Sequence, residues 1–119
     1  MPPETSAPLS PQVFMILLSL ADEDRHGYAI IQEVAERTEG EIVLTASTLY
    51  AALKRLLDAG WIAERSSKPK GEKDDSRRRY YELTAAGRQA ARVEARRLER
   101  LSQLARSRKL LPDLARRPG

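Results

Sequence analysis

Between Val13 and Leu20 the chain is apolar at Val13, Phe14, Ile16, Leu17, Leu18 and Leu20. These are too many positions for a single stripe, so a helix here has to be covered on most of its sides. Ser10-Pro11 in front of it reads as an N-cap followed by proline at the first helical position, where the missing N–H costs nothing. After the polar break Asp22-Glu23-Asp24-Arg25, the residues Tyr28, Ile31 and Val34, flanked by Ile30 and Ala35, keep helical spacing to about Thr38, and Gly40 stops them. A third helix is capped by Thr45, carries Leu49, Ala52, Leu53, Leu56 and Leu57 at i, i+3, i+4, i+7 and i+8, and closes at Gly60. Its opposite face holds Ser47, Tyr50, Lys54 and Asp58. Trp61 to Arg65 and Arg79 to Thr84, with Tyr81 and Leu83 on one face, read as the two strands of a hairpin. Thr84 then caps a long helix through about Lys109 with a broad apolar stripe of Ala90, Ala91, Val93, Leu98, Leu101, Leu104 and Ala105, ended by Pro112.

The predicted order is helix, helix, helix, strand, loop, strand, long helix. It defines a mainly α fold with a small β-hairpin, a winged helix-turn-helix followed by a long C-terminal helix. Residues 1–8, with three prolines and no periodic pattern, form a flexible arm; 9–84 the winged unit; 85–111 the C-terminal helix; and 112–119 a loose basic tail. A length of 119 residues fits one domain of this kind and not two.

Composition narrows the chemistry. Hydrophobic residues at 41% and charged residues at 32% are ordinary for a soluble, folded protein. With no cysteine and a single histidine, His26, thiolate chemistry and histidine metal cages are excluded, and a reducing cytoplasmic setting is expected with no cofactor and no metal. Val13 to Ala21, the longest largely apolar stretch, is about half of what crosses a bilayer, so no membrane association is expected. The charge is segregated: the first 60 residues carry four Lys/Arg against nine Asp/Glu, the remainder seventeen against eight. Such a basic half points to a polyanion, although a solvated arginine-rich helix face gives the same count.

The candidate chemistry sits on the third helix and the hairpin tip. Thr45, Ser47, Thr48, Tyr50 and Lys54 can face the major groove of double-stranded DNA, which is wide enough to admit one helix. Lys68, Lys70, Lys73, Arg77, Arg78 and Arg79 can meet phosphates beside it. Plainer roles stand beside these: capping for Ser47 and Thr48, ring packing between helices for Tyr50, and a solvated loop for the tip, which also holds Glu72, Asp74 and Asp75. His26 reads as a turn or helix-start residue, Asp22-Glu23-Asp24 as a solvated turn, and Trp61 as core beneath the wing. A catalytic role would need a tuned base that the sequence does not supply, so an enzyme is not expected. A winged domain used only for protein contact is the alternative.

The long helix cannot hide Val93, Leu98, Leu101, Leu104 and Ala105 against itself, and a homodimer, with Phe14 and Leu18 of the first helix as a second surface, would cover them.

Four motifs in order resemble the PadR-like transcriptional regulators from Leu9 to about Lys109: His26-Gly27-Tyr28; Ser47-Thr48-Leu49-Tyr50 with Leu53-x-x-Leu56; Gly60-Trp61-Ile62; and Arg79-Tyr80-Tyr81-Glu82-Leu83-Thr84-x-x-Gly87. The single helix after the wing is similar to the compact subfamily. The resemblance implies a dimeric DNA-binding regulator, usually a repressor, with the last helix dimerising and operator affinity often answering to a small molecule; the two-fold symmetry of such a dimer predicts an inverted-repeat operator. Residues 84–119 hold no aromatic residue, a departure from members that clasp flat drugs on the dimer helix. An aliphatic or charged effector meeting Val93, Arg97 and Leu101 with Phe14 and Leu18, or no effector at all, is therefore expected.

Overall fold

The computed structural model describes residues 7–65 and 79–114. Helix α1 spans Pro11–Ser19, with the Ser10 hydroxyl accepting the Val13 N–H at 3.1 Å and proline in the first turn. Ile16 and Leu17 are fully buried and Leu20 nearly so, as expected of a helix enclosed on several sides. Strand β1 is the short pair Arg25–His26, and α2 follows at once over Gly27–Arg37. His26 is the N-cap of α2: its Nδ1 accepts the Ala29 N–H at 3.2 Å, a helix-start role.

The buried stripe of α2 is Gly27, Ile30 and Val34, which turns Tyr28 outward to 64% exposure. The expectation that Tyr28 shares the buried face is corrected here. Gly27 takes the buried position against α3, so the residue after it falls outside the stripe. Between α2 and α3 the Thr38 hydroxyl donates to Val34 O and accepts the Ile42 N–H, while Glu39 and Gly40 take positive φ to turn the chain.

Helix α3 spans Ala46–Asp58, and its buried positions are Leu49, Ala52, Leu53 and Leu56. Gly60, at φ 79°, reverses the chain, and the Trp61 N–H returns to Leu56 O at 3.0 Å. Strands β2, Ile62–Arg65, and β3, Tyr80–Leu83, pair antiparallel with Ile62 opposite Leu83 and Arg65 opposite Tyr80.

The sheet has three strands in the order β1-β3-β2, so the hairpin gains a partner that the sequence pattern did not reveal. Two residues are too few to show an alternation, and Arg25 pairs with Tyr81 and His26 with Tyr80 through backbone that reads as a polar turn. The third strand accounts for the burial of Tyr80, whose ring meets His26 edge to face with centroids 5.4 Å apart.

Helix α4 spans Ala85–Ser107, capped by the Thr84 hydroxyl, which accepts the Gly87 N–H at 3.1 Å. It stops before the expected Lys109 and well before Pro112. Lys109 adopts φ 68° and the Leu110 N–H reaches Ala105 O at 2.9 Å, so a left-handed C-terminal turn, not the proline, terminates it. One core, centred on Ile16, Leu17, Ile30, Val34, Leu49 and Leu53, joins α1, α2 and α3, with Tyr81 of the sheet against it. The arm residues 1–6, the hairpin tip 66–78 and the end of the tail, 115–119, lie outside the described residues.

Candidate nucleic-acid interface

The same amphipathicity that buries the leucines of α3 exposes its other side. Thr45, Ser47, Thr48, Tyr50 and Lys54 are all exposed, Tyr50 at 50%. The Thr45 hydroxyl accepts the Thr48 N–H at 3.1 Å and donates to the Thr48 hydroxyl at 3.0 Å, with Ser47 Oγ 3.4 Å away. Capping and exposure therefore coexist: the hydroxyls close the helix start yet remain accessible on its surface. Lys54 lies 3.6 Å from Asp58 one turn on, a solvent-exposed pair that leaves the ammonium reachable.

Tyr50 combines both roles considered for it. Its ring lies over Gly27, where a Cβ would touch both the hydroxyl and Cζ, and half of its surface still faces solvent. The helix-turn-helix angle is thus set by a ring on α3 resting on bare backbone at the start of α2. Tyr81 is buried beneath this region, and burial, with Glu64 nearby, pushes its phenol above the ordinary value.

The wing stem is braced by ion pairs. Arg65, on β2, pairs with Asp24, immediately before β1, and Arg79 donates to Glu64 at 3.0 Å across the hairpin. The acidic turn is therefore not only solvated: Asp22 and Glu23 flank Arg25, which also donates to Ser19 O at 2.6 Å, while Asp24 holds the wing. Arg79 is exposed but engaged. Lys68, Lys70, Lys73, Arg77 and Arg78, predicted to meet phosphates, lie outside the described residues.

Trp61 is half-buried against the core. Its carbonyl accepts the Thr84 N–H at 3.1 Å, and the Thr84 hydroxyl donates to Gly60 O at 2.7 Å. A Cβ at Gly87 would come 2.0 Å from the Trp61 carbonyl oxygen, so only glycine lets α4 start there. The Gly60-Trp61 and Thr84-x-x-Gly87 motifs, distant in sequence, are two halves of one joint.

Sequence reasoning did not single out Val43, 67% exposed before α3, and it placed Tyr28 with the apolar spacing of α2 although it is 64% exposed. Both are large apolar side chains left on the surface around the helix-turn-helix, and for Tyr28 the signal was its place next to Gly27. Of the proposed dimer surface, Leu18, Leu98, Leu101 and Leu104 are 38–48% exposed, and Phe14, Val93 and Ala105 are half-buried. Among the described residues no helix is long and apolar enough to cross a membrane.

The class that this geometry defines is a winged helix-turn-helix with a helical extension. Residues 16–93 match the transcriptional regulator PadR-like family, and the chain belongs to it. It is 26% identical to a PadR family transcription regulator from Clostridium difficile, with a TM-score of 0.68 over 82% of this chain and 97% of that one. A transcriptional regulator from Clostridium thermocellum superposes with a TM-score of 0.67 at 25% identity, over 81% of this chain and 87% of the other. Bacillus subtilis PadR, solved in complex with operator DNA, is 26% identical with a TM-score of 0.58, covering 71% of this chain and 46% of that one. An uncharacterized protein of Lysinibacillus sphaericus is 33% identical over 73 residues, 61% of this chain; the match spans 64% of that relative's length.

Proposed function

We propose that the chain is a sequence-specific regulator of transcription, a repressor that binds an inverted-repeat operator as a homodimer. The observation that carries the reading is the exposed face of α3, where Ser47, Thr48, Tyr50 and Lys54 stand clear of the core beside a braced wing stem. A helix presented in this way enters a major groove with its N-terminal residues at base edges, while the wing meets the adjoining backbone. The Bacillus subtilis relative that was crystallised with operator DNA supports it.

Two-fold symmetry follows from the stripe on α4. Leaving Leu98, Leu101 and Leu104 in water forgoes about 1.5–3 kcal/mol for each fully buried side chain. An isologous contact with the partner's α4 and α1 covers them and places two reading heads about one helical turn apart, or a multiple of it.

The test is a gel-shift and footprinting series on the promoter beside the protein's own gene. Ser47→Ala and Tyr50→Ala should lose affinity in a sequence-dependent way and protect less of an inverted repeat. Full affinity in both variants would overturn docking by α3.

A further inference from the structure

The segment that leads from the turn after α2 into α3 alternates between inside and outside. Ile42 packs against the core, Val43 is 67% exposed, Leu44 is buried, and Thr45 is exposed again. Thr45 is extended, at φ −82° and ψ 163°. In extended chain successive side chains point to opposite sides, so Val43 and Thr45 share one outward face while Leu44 anchors the segment from within. Both ends are held: the Ile42 N–H donates to the Thr38 hydroxyl at 3.0 Å, and the Thr45 hydroxyl accepts the Thr48 N–H at 3.1 Å. A β-branched side chain is stiff at its first torsion, so Val43 presents its methyl groups at a nearly fixed place beside the start of α3.

We infer that Val43 is a specificity-determining residue that reads a thymine through contact with its C5-methyl group in the major groove. The inference rests on the reading of α3 as the helix that enters that groove. A helix docked there sets its N-terminal residues at base edges, which carries the outward face of Thr45 and Val43 with it. The valine side chain neither donates nor accepts a hydrogen bond, so phosphates and the polar base edges offer it no partner. The thymine methyl is the one apolar group that the base pairs display in the major groove. Ser47 and Thr48 discriminate poorly by comparison, since a hydroxyl pairs with donors and acceptors alike. A single exposed valine is ordinary on a protein surface. The fixed place of this one, beside the exposed hydroxyls at the start of α3, is what assigns it to the reading face.

Thymine can be replaced by deoxyuridine, one position at a time, in the inverted repeat that footprinting defines. Each replacement removes one methyl group and leaves base pairing intact. In fluorescence-anisotropy titrations of the full chain, one position in each half-site should lose about fourfold in affinity, which is what burying one methylene-sized group yields. In Val43→Ala the thymine duplex should bind as weakly as the deoxyuridine duplex binds the parent chain, and removing the methyl should then cost almost nothing. Val43→Ile should keep the sensitivity. Ser47→Ala should lose affinity and still respond to the missing methyl in full, because the two groups act separately. Val43 is exposed, so Val43→Ala should leave the urea unfolding midpoint unchanged. The deoxyuridine series is read on the parent chain, so its outcome does not depend on how any variant folds. Indifference to every deoxyuridine, a repeat with no thymine in its half-sites, or equal sensitivity in the parent chain and Val43→Ala would overturn the assignment. In each of those outcomes the chain still binds its operator, so docking by α3 stands; failure to bind any duplex would overturn both.

Discussion

A methyl group at Gly27 would stand 2.3 Å from the hydroxyl of Tyr50 and 2.9 Å from its Cζ. The start of α2 and the exposed face of α3 are thus fitted to each other through one ring. Gly27→Ala should force the half-exposed ring aside, costing about 1 kcal/mol by overpacking. Tyr50→Ala should remove that penalty. A double-mutant cycle in urea should return a coupling of about 1 kcal/mol, against near zero for residues that do not touch.

Gly87 faces a harder obstacle, because the atom in the way is the Trp61 backbone oxygen at 2.0 Å and not a movable side-chain tip. Gly87→Ala should destabilise by about 3 kcal/mol, at the upper end of overpacking penalties, and lower the urea midpoint accordingly. A midpoint equal to that of the parent chain would show that α4 can shift its start freely.

The wing arginines should not be equivalent. Arg79 is engaged by Glu64, whereas Arg77 and Arg78, expected from the sequence to meet phosphates, lie outside the described residues. Replacing Arg77 and Arg78 with alanine should flatten the plot of log affinity against log salt by about 0.9 for each phosphate that is no longer neutralised. Arg79→Ala should change that slope less and instead loosen the hairpin, read as faster amide exchange in β3.

Leu98→Asp with Leu101→Asp should convert a dimer at micromolar concentration into a monomer in sedimentation velocity and abolish binding to a palindromic site. The unfolding midpoint of the parent chain should rise with concentration, as it does when folding and association are linked. A stable dimer in the double variant would place the interface elsewhere.

The Glu94 carboxyl is held below its ordinary value, chiefly by its hydrogen bond with Arg97 and further by the Leu9 N–H, against the opposing effect of burial. A carboxyl depressed in the folded state stabilises the fold above its unfolded value, and that stability is lost as pH falls through the folded one. Thermal scans between neutral and acid pH should show this loss in the parent chain, and Glu94→Gln should start lower and fall less steeply over the acid window.

How far the sequence was legible depended on how local each signal was. The helices α1, α3 and α4 declared themselves through Ser10-Pro11, the leucine spacing after Thr45, and the Thr84 cap, because cap and periodicity lie within a few residues of one another. Strand β1 could not, since Arg25 and His26 become a strand only by lying beside Tyr80 and Tyr81, more than fifty positions away. Tyr28 departs from its expected place for the same reason: its aromatic character suits a core, but the stripe that α2 buries runs through Gly27, Ile30 and Val34 and leaves it outside. Of the candidate site, the exposed face of α3 was legible from amphipathicity alone. The bracing of Arg65 by Asp24, and the pairing that occupies Arg79, were not, since ion pairs leave no periodic trace.

The joint at Thr84 has an evolutionary corollary. The chain leaves α3 at Gly60 and comes back to Thr84, and that threonine ties the two points with its hydroxyl on Gly60 O and its N–H on Trp61 O. Everything between them is an excursion closed at its base. Lengthening or shortening such a loop costs little, since closure entropy changes by only about 0.6 kcal/mol for each doubling of length. Hairpin tips from other relatives could therefore be exchanged as cassettes, letting descendants of this chain acquire new backbone contacts without repacking either helix beside the joint.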